Sequence, residues 1–469
     1  MSIINLLLLL CFIQGTLLES TTGILNKEVE KEINLKNKII KITTDVTFKN
    51  MGRDSVYSYI FIISKNYTSS LTHISFKMKV DGSYTQDLHY KIDRAQGQDD
   101  IYEINFSEYP VNPKEERQII IEEDHFGNLE FYPKKIYIKD SQQAYYTDIL
   151  NYYSAYPTEN QNVKLILPSE DTSIIGHKTS TGRGSNLSKG IIEYKLDERF
   201  AEFQAETFYI HYIYLVPFVV MNHAKREYRI SHWGNIAVSE NYQLANIGAL
   251  LDGEFSRIDY SEYGMNGKNG LKDLTASLPM RASGLWYRDE VGNVSTSEAS
   301  RRYNDVRLQL HPRFPIFGGW KSNFDIGYNL PTKFNVKKKD ENGNQFMFNL
   351  TFGMPFDDLL AKNYSVKIVL PEGAENIKVN LPLEDEVEII SEKEYGCLDL
   401  IGRNSVTLKM KNVYDRHKVY FQVFYTFSKF SLAIKPIILV FYFLLIFSAL
   451  VIYFRADWNL SPEKKEKQE

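Results

Sequence analysis

Apolar and polar residues alternate along much of this chain. Residues 39–48 (IIKITTDVTF) partly alternate and stop at Asn50-Met51-Gly52. A side-chain period of two marks a half-buried strand. Residues 57–63 (YSYIFII) form a near-continuous β-type run, 163–167 stop at Pro168, and 208–220 are rich in aromatic and β-branched residues. Gly, Pro and Asn bound these runs, and convincing helical periodicity is scarce outside one C-terminal segment. The pattern predicts an all-β body.

The strands carry a weak internal repeat. Asn50-Met51-Gly52 is echoed by Asn246-Ile247-Gly248, and Val163-Lys164-Leu165-Ile166-Leu167-Pro168 by Val366-Lys367-Ile368-Val369-Leu370-Pro371. His211-Tyr212 has a looser echo in Phe424-Tyr425. The echoes keep one order and one spacing of about 200 residues, the signature of a duplicated unit. Two tandem β-sandwich domains, residues 23–228 and 229–433, explain them. The competing reading is chance likeness among strands. The junction is expected near 221–230 (MNHAKREYRI), where the strand pattern looks interrupted.

The two ends break the β pattern. Residues 6–13 are a short apolar run at the very start, too short to span a bilayer, so 1–22 read as a secretory signal peptide. A buried N-terminal helix is the alternative. Cleavage would remove Cys11 and leave Cys397 as a lone thiol, with no intrachain disulfide. Residues 436–454 hold 19 positions without a charge, bounded by Lys435 and Arg455. A bilayer core of ~30 Å needs roughly 20 helical residues. This predicts one transmembrane helix, 434–454, and a cytosolic tail, 455–469. Signal plus late span makes a type I topology with the bulk of the chain in the lumen. Charge does not orient the span, since the tail balances four basic against four acidic residues. Lys465 and Lys467 match a Lys-x-Lys-x-x endoplasmic reticulum retrieval address, with a solvated charged tail as the alternative. Asn66, Asn105, Asn186, Asn293, Asn349 and Asn363 are acceptor sequons for N-glycosylation, only modestly more than chance supplies.

Composition narrows the classes. Among 469 residues, a hydrophobic share of 43% excludes global disorder, and Tyr 32 with Phe 28 favours strands. A net charge of −4 gives no basic footprint for nucleic acid, and two Cys exclude a disulfide scaffold. A mean hydropathy of −0.33 excludes a polytopic membrane protein while allowing one span.

Enzyme signatures are missing. The chain has no His-Glu-x-x-His zinc motif, no phosphate-binding P-loop and no Gly-x-Ser-x-Gly elbow. Gly182-x-Gly184 and Gly264-x-x-Gly267-x-x-Gly270 read as loops. The His residues show no close metal-ligand spacing, and His223 and His232 stand apart across the expected junction. The pairs Asp99-Asp100 and Asp357-Asp358 read as solvated turns, because neighbours on a strand point to opposite faces.

Several linked motifs identify a resemblance. They are His232-Trp233-Gly234-Asn235-Ile236-Ala237-Val238, then Phe255-Ser256-Arg257-Ile258-Asp259-Tyr260, then Tyr287-Arg288-Asp289-Glu290-Val291-Gly292-Asn293-Val294-Ser295. Pro312-Arg313-Phe314-Pro315-Ile316-Phe317-Gly318-Gly319-Trp320, Gly327-Tyr328-Asn329-Leu330-Pro331 and Leu370-Pro371-Glu372-Gly373-Ala374 follow. In this order they resemble the ribophorin I family, strongly over residues 230–455 and more weakly before. The resemblance implies two tandem lumenal β-sandwiches and a non-catalytic accessory subunit of the endoplasmic reticulum oligosaccharyltransferase, without cofactor. That complex transfers a lipid-linked oligosaccharide to Asn of Asn-x-Ser/Thr. The implied partners are the catalytic and small membrane subunits and nascent polypeptide. Chemistry in that complex belongs to a polytopic subunit with a Trp-Trp-Asp-Tyr-Gly motif, absent here. Animal members carry a long helical cytosolic tail implicated in docking to the ribosome and translocon, a role not expected of the 15 residues that follow the span here, and Trp286 stands where the family usually has Tyr.

The motif residues suggest local roles. Gly318-Gly319 before Trp320 suits a tight turn with close backbone approach, and Pro312 and Pro315 hold the chain extended before it. Arg288 beside Asp289 and Glu290 suggests an ion pair or a partner contact. Asn293 is the foremost glycan candidate, being a sequon inside a motif. Aromatic residues of the span, Tyr442 and Phe447 among them, face either lipid or small partner subunits. A different class of function is also open: a lumenal chaperone or lectin stacking clients on Trp233, Trp286 or Trp320.

Overall fold

A computed structural model describes residues 23–456, apart from 81, 86, 95–97, 263–268, 340–343, 384–386 and 397–398. The expected signal peptide, Cys397, Lys465 and Lys467 lie outside the described residues.

The body is built from β-sheets, as the alternation predicts. Strand Asn235–Asn246 shows why: Ile236, Val238, Glu240, Tyr242 and Leu244 are buried while the residues between them face out. Period-two burial fixes which face meets the core and therefore the register.

Two large sheets share one strand order. The first runs Asn186–Ser188, Ile191–Leu196, Thr158–Ile166, Ile24–Asn34, Ile40–Asn50, Glu116–His125, Leu71–Val80 and Ser83–Tyr84. The second runs Glu388–Glu394, Arg403–Val413, Ala361–Val369, Val219–Ile230, Asn235–Asn246, Lys321–Pro331 and Ser283–Asp289. In both, the first strand in sequence pairs in parallel with the strand that returns late, Thr158–Ile166 or Ala361–Val369. The other pairings within both sheets are antiparallel. Each large sheet has a smaller four-stranded companion, with central strands Gln143–Ile149 and Thr207–Ile213 in one set and Gln345–Thr351 and Tyr420–Phe427 in the other. The sequence echoes fall at matching places. Asn50 and Asn246 end the second strand, Val163 and Val366 lie on the late parallel strand, and Tyr212 and Tyr425 lie buried on the companion sheet.

One expectation fails. Residues 221–230 do not interrupt the strand pattern; they form most of the central strand Val219–Ile230. Its polar residues misled because His223, Lys225, Glu227 and Arg229 occupy one face while Ala224, Tyr228 and Ile230 fill the core on the other. The change from one sheet set to the next falls just before Val219.

The two sets touch extensively. Lys135–Ile136 pairs in parallel with Leu250–Leu251. Gln142 accepts from the Ala249 amide at 2.9 Å through Oε1. The Tyr414 hydroxyl donates to the Asp124 carboxylate, and Ile39, Leu360 and Tyr414 close a small apolar cluster. The described chain ends in helix Lys429–Arg455, whose first turn is capped by Ser428 Oγ accepting from Phe430 N at 3.2 Å. Its apolar segment is long enough to cross a membrane and none of it is buried in the body.

Candidate functional site

The linked motifs of the second half converge at a turn. Asn246 closes strand Asn235–Asn246 and is buried; its Nδ2 donates to the carbonyls of Asn269 (3.1 Å) and Ile316 (3.0 Å). Its Oδ1 accepts from Gly248 N at 3.0 Å. This turn presses the Ala249 carbonyl onto Gly318, where a Cβ would lie 1.8 Å from the oxygen. Only glycine fits so close a backbone. Gly319 follows at φ 85°, in the left-handed region, and directs Trp320 onto Phe255, Phe314 and Phe317 with ring centroids 5.5–5.9 Å apart. Residues distant in sequence thus build one aromatic cluster.

A second motif folds on itself. The expected partner of the acidic pair, Arg288, lies exposed on its strand. Arg313 takes that role instead: its Nε donates to Asp289 at 2.5 Å and its Nη2 to the Asn293 carbonyl at 3.0 Å. The Asp289 carboxylate also accepts from the amides of Val291 (3.0 Å) and Gly292 (2.9 Å). Burial pushes its pKa up, but these donors outweigh burial and hold it below the ordinary value. Glu290 accepts from Asn323 Nδ2 at 2.6 Å. Trp286 lies flat on the neighbouring strand, where a Cβ on Gly327 would come within 2.2 Å of its ring. The clamp leaves Asn293 exposed just past the turn, bridged to Arg288.

His232 packs at the end of strand Val219–Ile230. Its ring stacks on Phe427 with centroids 4.4 Å apart, and Nε2 meets the Tyr425 hydroxyl at 3.0 Å. Burial lowers its pKa to about 4, so it stays neutral here. Next to it Gly234 turns at φ 115° and Asn235 donates to Asn329 Oδ1 at 2.9 Å. Of the three tryptophans considered for stacking, Trp233 and Trp286 are exposed, at 69% and 43%, Trp286 with one side against Gly327, whereas Trp320 is packed in its aromatic cluster.

The acidic pairs are not simply solvated turns. Asp99 accepts from Tyr153 at 2.8 Å, and Asp100 is buried beside Arg94 at 3.2 Å. Asp357 pairs with Lys418 at 2.5 Å. Lys38 reaches across the sets to the Asp358 carbonyl at 3.1 Å; burial brings its pKa down to about 8, against the pull of Asp358 and Asp415. Neither pair brings two carboxylates onto one reaction centre. Among the described residues no group of three or more His, Cys, Asp or Glu is placed to hold a metal.

Sequence reading missed two features. Arg226 and Glu240 form a buried ion pair at 2.7 Å, with Tyr242 and Tyr328 donating to the same carboxylate. The burial parity of Ala224, Arg226 and Tyr228 carried that signal. The other is a cleft of about 940 Å³ between the two sheet sets, lined by Tyr90, Ile92 and Arg94 on one side and Lys225, Asn363 and Lys411 on the other. No sequence pattern predicts it, because it exists only between the halves.

Asn66, Asn105, Asn186 and Asn363 are exposed, like Asn293. Asn349 differs: it is half-buried within strand Gln345–Thr351, and its Oδ1 is buried without a hydrogen bond.

Fold and surface together define a β-rich protein whose described residues include one apolar helix of membrane-crossing length. The chain belongs to the ribophorin I family, whose model matches residues 24–454. It is similar to dolichyl-diphosphooligosaccharide–protein glycosyltransferase subunit 1A of Arabidopsis thaliana, 31% identical over 98% of this chain and 75% of that one. Subunit 1B of the same plant is 30% identical over 92% of each chain. Subunit 1 of Caenorhabditis elegans is 30% identical over 94% of this chain and 74% of that one. Among solved structures, leukotriene A4 hydrolase from Saccharomyces cerevisiae covers 44% of this chain and 32% of its own at 8% identity and TM-score 0.27, too low to carry an argument.

Proposed function

We propose that this chain is a non-catalytic accessory subunit of the oligosaccharyltransferase of the endoplasmic reticulum membrane. In this reading it supports transfer of a lipid-linked oligosaccharide to Asn of Asn-x-Ser/Thr. It stabilises the complex and helps hold acceptor polypeptide near a catalytic subunit. The observation that carries the reading is the family match over nearly the whole described chain, with relatives named as subunit 1 of that glycosyltransferase. The body divides into two tandem domains, with the change-over just before Val219, and faces the lumen in a type I topology. Its partners are the catalytic and small membrane subunits and the nascent chain. The Asp289–Arg313 and Asp357–Lys418 pairs and the packed motifs support a structural role, since the first holds a turn and Trp320 is taken up in an aromatic cluster.

The test is affinity purification of the tagged full chain from microsomes in mild detergent, with mass spectrometry and an assay of oligosaccharide transfer to an Asn-x-Thr peptide. Recovery of a polytopic glycosyltransferase in stoichiometric amount, with transfer activity, is the expected result. Recovery of the chain alone, or with varied glycoproteins, overturns it and favours a chaperone or lectin, for which exposed Trp233 is the contact to substitute.

A further inference from the structure

The root of the apolar helix is clamped to the body by charge. Lys435 is the last charged residue before the apolar run, one residue ahead of Pro436. Its ammonium pairs with the Asp399 carboxylate, whose side chain is fully buried, and lies 3.8 Å from Glu372. Arg403 Nε donates to the same Asp399 at 3.0 Å. One turn earlier, Ser431 packs against Gly373, and Leu432 packs on the core of the second sheet set. The helix therefore leaves the body in a fixed direction rather than on a free linker.

The clamp also fixes the residues beside it. Glu372 Oε1 accepts from the amides of Leu400 (2.6 Å) and Ile401 (2.9 Å). With their backbone so held, the side chains of Leu400 and Ile401 project outward, 68% and 54% exposed. Tyr395, 70% exposed, stands over Gly402 next to them. Two aliphatic chains and a tyrosine held outward are costly in water. Their level is set by Asp399, which touches the helix where its charged part ends and its apolar part begins. That is the depth of the headgroup region, where aromatic and basic residues gather and short aliphatic side chains reach the acyl boundary.

We propose that Leu400 and Ile401, with Tyr395 beside them, form a second membrane contact that dips into the lipid surface around the helix and seats the body on the bilayer. Lys435, Asp399 and Glu372 are the positioning residues of this contact. The proposal rests on the helix crossing a membrane, and the experiment reads that separately.

The full chain, with Cys11→Ser and Cys397→Ser, is labelled with an environment-sensitive fluorophore at Leu400→Cys or, separately, at Phe447→Cys within the apolar run. Each is reconstituted in phosphatidylcholine vesicles with and without nitroxide-carrying lipid, the nitroxide near the top of the acyl chain for position 400 and near its end for position 447, which lies mid-way along the apolar run. Loss of emission at both positions is expected. Adding Lys435→Gln should lessen the loss at position 400 and leave position 447 unchanged. Loss at 447 with none at 400 overturns the lipid contact while the span stands. No loss at 447 overturns the span and the contact together. Shielding of position 400 from added aqueous quencher in the assembled complex, without loss of emission to the lipid nitroxide, overturns the proposal in favour of a protein partner.

Discussion

Lys31 and Arg226 occupy the same place in two copies of one strand arrangement. Lys31 lies opposite Val163 on the parallel strand pair of the first sheet, and Arg226 opposite Val366 on that of the second. Lys31 donates to the Ile149 carbonyl at 2.6 Å and Arg226 to the Thr351 carbonyl at 3.3 Å. Each acceptor is the last residue of the matching companion strand, Gln143–Ile149 or Gln345–Thr351. Both cations are buried, and both have a carboxylate partner, Asp148 at 3.8 Å or Glu240 at 2.7 Å. The carboxylates come from different strands, so the cation and the carbonyl are the shared device. It ties a large sheet to its companion at one point in each half.

Breaking this tie strands a buried charge. Arg226→Met leaves Glu240 without a cation and should cost roughly 3–5 kcal/mol. Adding Glu240→Gln should recover part of that loss, because an amide oxygen still accepts from Tyr242 or Tyr328 without a buried charge. Guanidinium unfolding of the three proteins checks the order.

Gly318 has no room for a side chain. Gly318→Ala sets a methyl against the Ala249 carbonyl and should destabilise by about 1–3 kcal/mol or more. Gly176→Ala, in open space and with an ordinary backbone angle, should stay within about 0.5 kcal/mol. Thermal unfolding distinguishes them; equal effects would refute the close approach.

Acid should weaken the His232 stack. Folding lowers its pKa from 6.5 to about 4 through burial. Above pH 6.5 the ring is neutral in both states and the contribution is complete. As pH falls toward 4 the unfolded chain takes the proton first, so stability is lost across that window. With solvent reaching part of the ring, the loss should be about 1–2 kcal/mol. His232→Phe should abolish this part of the pH dependence, read from unfolding midpoints between pH 4 and 7.

The Tyr414 hydroxyl holds the two sheet sets together through buried Asp124. Tyr414→Phe removes a donor from a buried carboxylate and should cost about 1–3 kcal/mol. Hydrogen exchange should quicken at the pairing of Lys135–Ile136 with Leu250–Leu251. Unchanged exchange there would mean that the sets hold without this bond.

Glycopeptide mass spectrometry should find Asn293 occupied and Asn349 free of glycan. Asn293 is exposed just past a turn held by Arg313, whereas Asn349 is half-buried within a strand with its Oδ1 out of solvent. A glycan on Asn349 would reverse that ranking.

The sequence by itself determined the strands, the apolar helix, the repeat and the family. These rest on short-range information: a period of two, an uncharged run, and motifs whose order is preserved along the chain. It also marked Gly318-Gly319 as a place of close approach, because a glycine pair before Trp in that motif leaves few alternatives. It misplaced the junction, since a half-exposed central strand with a buried Arg226 looks polar when read along the chain. Only the tertiary structure decided that Arg313 rather than Arg288 meets Asp289, that Asp358 and Tyr414 belong to an interface, and that Lys435 clamps the helix through Asp399. Those pairings join residues far apart in sequence. Burial makes each of them matter, because a charge removed from water must find its partner in space, and the partner's position along the chain leaves no local trace.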